Sequence, residues 1–105
     1  MIQITHIPDT VAFSSEKMKK IGLFQSERFF FDVYCLEPGQ EQAPHLHEGA
    51  DKIYLVRDGA VCVRVGEEEV TLTADAAVLA PAGVIHGIRN TTQDRAVVLV
   101  FRAGK

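Results

Sequence analysis

No stretch of this chain reaches the roughly 18 consecutive apolar residues of a membrane-spanning helix, and no stripe or tail of lysine and arginine runs along it. A transmembrane helix is therefore not expected, and neither nucleic acid nor an anionic membrane surface is an expected partner. Cysteine is scarce. Cys35 and Cys62 stand 27 positions apart with no CxxC pair, so two reduced, partly buried thiols are expected, and a disulfide requires the strands that carry them to be adjacent. The opening residues Met1 to His6 lack the basic region and apolar core of a secretory leader, which makes the cytoplasm the expected location. Helical signals are few, confined to residues 14–20. Acidic residues exceed basic ones by 14 to 11, a net charge of −3 that selects no partner by itself.

What is present is a chain of 105 residues, 47% of them hydrophobic. That length suits one domain spanning 1–105, and the composition argues against disorder. Ile2 to Ile7 alternates weakly and stops at Pro8-Asp9, which predicts an N-terminal edge strand. Ser14 to Lys20 is the one plausible helix, with Ser14 as its cap and Gly22 as its stop. These two elements make up an N-terminal part at 1–22. From residue 28 to about 102 the pattern becomes a series of short strands: 28–36, 42–47, 52–57, 60–65, a strand through Val70 and Leu72, then 76–80, 85–90 and 96–101. Asp58-Gly59 reads as a two-residue hairpin turn, and Gly66-Glu67-Glu68 as the next turn. Val61, Val63 and Val65 share one face, and Val70 and Leu72 are expected to face the core. Many short strands at this spacing predict an all-β sandwich or small barrel.

The chemistry is concentrated in histidine. In His45-Leu46-His47 an extended backbone puts both imidazoles on one face, and His86 arrives 39 positions after His47 in a segment that begins Pro81-Ala82-Gly83. Three neutral nitrogen ligands suit a first-row divalent metal and leave positions open for water or substrate. His6 reads as a surface residue, and Glu48 points away from His47. Proline fixes φ and glycine lets the chain bend ahead of His86, while Asn90 is expected to brace the neighbouring loop.

These residues resemble the cupin family, whose first motif runs G-x5-H-x-H-x(3,4)-E-x6-G and whose second runs G-x5-P-x-G-x2-H-x3-N. Gly39, His45, His47 and Gly59 meet the first; Pro81, Gly83, His86 and Asn90 meet the second, with Asp75 in place of its opening glycine. The motifs span residues 39–90. The resemblance implies a double-sheet jelly-roll barrel and a metal held inside it by His45, His47, His86 and a glutamate, the metal being iron, manganese, nickel, copper or zinc. The glutamate is missing. Lys52 occupies its slot counting back from Gly59, and Asp51 occupies it counting forward from His47. A protonated Lys52 cannot ligate, whereas Asp51 could if a bulge turned it inward. Three arrangements stay open: three histidines with water, a fourth ligand from Asp51, or an empty site.

The same alignment puts Lys52, Tyr54 and Val56 on one strand face. If that face lines the cavity, Tyr54 is a candidate hydrogen-bond donor and Lys52 a candidate anion clamp in catalysis. Cys35 could approach the cavity but has no basic partner to activate it. Phe29, Phe30 and Phe31 are consecutive, so at least one faces away from the core, which together with the habit of the family implies a homodimer. The family includes dioxygenases, isomerases, decarboxylases and non-catalytic binding proteins. A metal-dependent enzyme, a dioxygenase or isomerase acting on a small polar or enolisable molecule, is the leading expectation. A non-catalytic small-molecule binding or sensor module is the rival.

Overall fold

The computed structural model describes residues 1–104. After a short helix α1 (Ile7–Thr10) come nine strands: β1 (Lys19–Gln25), β2 (Phe29–Leu36), β3 (Glu41–His45), β4 (Ala50–Asp58), β5 (Ala60–Val65), β6 (Glu68–Thr73), β7 (Ala77–Ala80), β8 (His86–Arg89) and β9 (Ala96–Gly104). They form two antiparallel sheets that face each other, a five-stranded one in the order β1-β2-β9-β4-β7 and a four-stranded one in the order β3-β8-β5-β6. Among the described residues neither sheet closes on itself. Each hydrogen-bonded ladder ends at two edges, β1 and β7 in one sheet and β3 and β6 in the other. The double-sheet jelly-roll barrel that the resemblance implied is therefore corrected to two open sheets, because no ladder joins the first strand of either sheet to its last.

The core lies between the sheets. Tyr34, Leu36, Tyr54, Val56, Val98 and Val100 from the larger sheet meet Val61, Val63, Leu72 and Ile88 from the smaller one. Alternation explains the selection, since residues two apart on a strand share a face. In β2 the inward set is Phe30, Asp32, Tyr34 and Leu36. Its outward set is also apolar because a second layer covers part of it: Ile7, Val11 and Phe13 of the N-terminal segment pack on Val33, Cys35 and Val97.

That covering layer accounts for the sequence expectations that fail at the N-terminus. No strand forms over 2–7, where Ile2 and Ile4 are exposed. The helix falls at Ile7–Thr10 rather than 14–20, because Ile7 and Val11, four apart, serve as its apolar contacts. Lys19 to Gln25 is an edge strand with a register shift between Gly22 and Phe24; its glycine marks an irregularity in a strand, not the end of a helix. Asp58-Gly59 is not a hairpin turn either. It carries the chain from β4 in one sheet to β5 in the other, and these strands do not pair. The β5–β6 hairpin does form, pairing Val65 with Glu68. Val70 is exposed rather than buried, on the edge strand β6. Cys35 and Cys62 are both free and sit in different sheets, and Cys35 belongs to the outer apolar layer, away from the cavity.

Candidate metal centre

The smaller sheet delivers the histidines. On edge strand β3, Gln42 pairs with Ile88 and His45 with His86, with a register shift between them at Ala43-Pro44; proline, lacking an N–H, is tolerated at such an edge irregularity. The shift brings β3 close over Gly87, where a Cβ would lie 3.0 Å from Gln42 O and from Pro44 Cα and N. Only glycine fits without pushing the strands apart. His47 lies just past β3, and Leu46 between the two histidines is exposed, as period-two geometry requires.

A turn fixes the third ligand. Val84 N–H donates to Pro81 O at 3.2 Å, and Gly83 within that turn has φ +80°, the left-handed region that favours glycine. Gly83 N–H donates to His47 O at 2.9 Å, tying the two histidine-bearing segments together. Asp51 works on the same turn. Its carboxylate Oδ1 accepts from Ala82 N–H at 2.8 Å and the residue is exposed. The structure thus places Asp51 outside the histidine cluster and in the role of a turn brace, since no bulge turns it inward. Asn90, fully buried, braces the next loop: its amide donates to Leu36 O and Asp94 O at 3.1 and 2.8 Å, and its oxygen accepts from Thr92 N–H and Oγ1.

The outcome is a compact cluster. The potential ligand atoms of His45, His47 and His86 all lie within 4.8 Å of one another. One ion with metal–nitrogen bonds of about 2.0–2.1 Å would draw these atoms closer together than that limit. The tautomers suit the task. His45 Nδ1 and His86 Nδ1 each lie 3.0 Å from a backbone carbonyl oxygen, Ala43 O and Val84 O respectively. Each Nδ1–H therefore donates to a carbonyl and leaves Nε2 as the lone-pair atom, the arrangement that orients metal-ligating histidines. His86 is 1% exposed, and its Nε2 is buried without a hydrogen-bond partner. A buried polar atom in that state requires an explanation, and a metal supplies one. All three imidazoles are held neutral: burial lowers the pKa of His45 and His86, and burial followed by the Arg102 charge lowers that of His47 to about 4.

The larger sheet supplies the opposite wall. Its register aligns Phe30, Arg102, Lys52 and Ala80 in one inward row, and Asp32, Val100, Tyr54 and Val78 in the next. Lys52, which stands in the glutamate slot, is 3% exposed and lines a cavity of about 280 Å³. Its Nζ donates to Gln42 Oε1 at 3.1 Å and lies 3.4 Å from His45 Nε2. Burial, then the charges of Lys20 and Arg102, bring its pKa down to about 8. Arg102 Nη1 lies 3.5 Å from His47 Nε2, and its guanidinium sits 4.4 Å from the centre of the Phe30 ring. Tyr54 is fully buried in the core with its ring centre 6.3 Å from that of His86; its hydroxyl has no partner, and burial raises its pKa.

Sequence reasoning missed Asp32, Arg102, Lys20 and Gln42, which also line the cavity. Asp32 and Arg102 leave a signal that could have been used: each is a charge at an inward position of an otherwise apolar strand. Burial raises the Asp32 pKa against the opposing pull of Lys20, Arg102 and Lys52.

Comparison with known proteins agrees with this geometry. TT1209 from Thermus thermophilus, known from a crystal structure, superposes with a TM-score of 0.95 at 47% identity, covering 98% of each chain. An uncharacterized protein of Streptomyces coelicolor is 32% identical over 71 residues, 66% of this chain and 65% of that one. The tetracenomycin polyketide synthase protein TcmJ of Streptomyces glaucescens is 38% identical over 55 residues, 52% of this chain and 37% of its own. The chain thus spans 65% and 37% of the lengths of these two curated relatives. Residues 32–102, which hold all three histidines and the cavity walls apart from Lys20 and Phe30, match the cupin domain, and the chain belongs to the cupin family.

Proposed function

We propose that this cupin is a metal-dependent enzyme acting on a small polar or enolisable molecule, with dioxygenase chemistry the first activity to test and isomerase chemistry the second. The observation that carries the reading is the convergence of three neutral imidazoles, two with Nδ1 tied to carbonyls and one with a buried, unpartnered Nε2. A divalent ion there would polarise a substrate oxygen and, if it were iron or manganese, supply redox chemistry as well. The protein's own contribution is position and proton transfer. Among the described residues Asp32 is the one carboxylate that lines the cavity, and it is the candidate proton acceptor; Gln42 holds Lys52 in place. The cavity of about 280 Å³ limits the substrate to a compact molecule. The likeness to a protein named for a polyketide synthase supports the enolisable class, since polyketide chains are rich in carbonyls.

One observation favours a second reading. Lys52 stands where the family motif has a glutamate, and a cation there opposes a metal, which suits a non-catalytic binding module. Elemental analysis of untagged protein, beside a His45→Ala/His47→Ala control that stays folded, separates the two. Near-stoichiometric iron or manganese, lost in the control, supports the enzyme and directs an oxygen-uptake screen. Zinc or nickel directs an isomerase screen. Absence of metal, with no uptake when metal is added back, overturns the metalloenzyme reading in favour of the binding module.

A further inference from the structure

We propose that the cavity beside the histidine cluster binds a small carboxylate, so that the ligand of this cupin is an anion held by Arg102, Lys52 and Lys20. As a statement about the substrate, the inference rests on the enzyme reading above; as a statement about the cavity, it rests on the walls alone.

Charge balance is the first argument. Among the described residues, Lys20, Lys52 and Arg102 face the cavity with Asp32 as their single opposing charge, a sum of 3 − 1 = +2 with the histidines neutral. Among the described residues the ion pairs within 4.0 Å are His6 with Asp9 and Arg95 with Glu37, so no carboxylate contacts any of the three cations. The acceptors beside Lys52 are neutral, Gln42 Oε1 and His45 Nε2, and Arg102 has neutral His47 Nε2 beside Nη1 while its Nε is buried with no acceptor. Lys52 is buried and Arg102 half-buried, with Lys20 exposed at the rim; positive charge without a carboxylate partner is costly at the buried position, and a bound metal dication would add to it. An anion in the cavity offsets both.

Shape points to a carboxylate. The Arg102 guanidinium lies against the Phe30 ring, and its planar fork of N–H donors matches a flat, two-oxygen acceptor. Apart from His47, the lining residues stand on strands, and none stands on a helix. The wall therefore lacks the helix N-terminus or backbone nest on which phosphate sites are commonly built. At about 280 Å³ the cavity has room for roughly nine water molecules of about 30 Å³ each, the size of a small organic acid. Lys52 and Arg102 lie 3.4 and 3.5 Å from the Nε2 atoms of His45 and His47, so an anion on these cations is next to the histidine cluster.

The test uses malonate as the probe on chelator-treated, metal-free protein, titrated by calorimetry at constant ionic strength. Malonamide, its neutral counterpart, and inorganic phosphate are run in parallel. Malonate is expected to bind one to one, at least about tenfold tighter than malonamide, as charge-assisted contacts require. Arg102→Gln and Lys52→Met should each weaken it by about tenfold or more, while Lys17→Gln, an exposed lysine outside this cavity, should not. Two variants are used so that one survives if the other fails to fold by circular dichroism. The proposal is overturned if malonate binds no better than malonamide, if neither cavity variant weakens it, or if phosphate binds as tightly through the same residues. Because the titration contains no metal, failure of the metal reading would appear in elemental analysis and leave the malonate result intact.

Discussion

Lys52→Met should make the metal site stronger. In the wild type the Lys52 ammonium lies 3.4 Å from His45 Nε2, so an ion on that nitrogen would sit within a few ångströms of a like charge. Two unit charges at 4 Å repel by about 4 kcal/mol at an effective dielectric of 20, and a dication by about twice that. A cheaper route exists. With the Lys52 pKa at about 8, loss of its proton at pH 7 costs a factor of about ten, which caps the penalty that the side chain imposes. Lys52→Met is therefore expected to bind zinc about tenfold tighter than wild type at pH 7. The sign with pH follows: as pH rises through 8 the wild-type lysine becomes neutral, its affinity climbs towards that of the variant, and the gap closes. The histidines do not confuse this window, since their pKa values are all lowered from 6.5. The assay is competition against a chromophoric chelator, in buffer free of carboxylate and phosphate, with circular dichroism to verify folding. Equal affinity at pH 7 would show that the ammonium does not oppose the metal. Weaker binding by Lys52→Met would mean that the neutral amine is itself a ligand, and would refute the argument outright.

Two further predictions follow from the packing. Tyr54 carries a fully buried hydroxyl with no partner, a feature that costs about 1–3 kcal/mol, so Tyr54→Phe should raise Tm by roughly 4 °C, at the low end of what one kcal/mol gives a domain of this size; a fall in Tm would show that the hydroxyl has a partner and would support Tyr54 as a hydrogen-bond donor in the site. On the outer face of the larger sheet, Phe24, Phe31, Phe101, Ile53 and Leu79 form one apolar row across all five strands, with Leu79 53% exposed, so the chain is expected to dimerise through this face; light scattering should give a dimer at micromolar concentration and a monomer for Leu79→Ser/Phe101→Ser, and a wild-type monomer would sink the idea.

The legible part of the molecule is the part governed by local periodicity. The strand series from 28 onward, the shared face of His45 and His47, and the turn ahead of His86 all follow from alternation and from glycine and proline chemistry. What alternation cannot supply is partnership. Asp58-Gly59 has the residues of a hairpin turn, yet the strands on either side enter different sheets, a choice made by inter-sheet packing. Lys19 to Gln25 reads weakly because an edge strand with a register shift needs only one partner, β2. The three consecutive phenylalanines show both sides of the matter. The sequence demands that at least one turn outward; the structure shows Phe29 and Phe31 packed on Phe101 outside and Phe30 under Arg102 in the cavity. Asp75 departs from the family glycine but keeps its backbone, with φ 72°, a region that aspartate tolerates better than most residues.

Lys52 is where the departure from the family motif changes the chemistry. A glutamate in that slot would neutralise part of a metal's charge and repel an anionic ligand; lysine does the reverse on both counts. If both bind, metal and anion would assist each other. A carboxylate on Lys52 and Arg102 would screen the ammonium from the ion, and the ion in turn would add positive charge beside the carboxylate, a coupling that must be equal in both directions. The same substitution, Lys52→Met, is thus expected to move the two affinities in opposite senses, tightening zinc and loosening malonate. A generally damaged cavity would weaken both, and a side chain with no part in either site would change neither, so the pair of signs identifies Lys52 as the residue that links them.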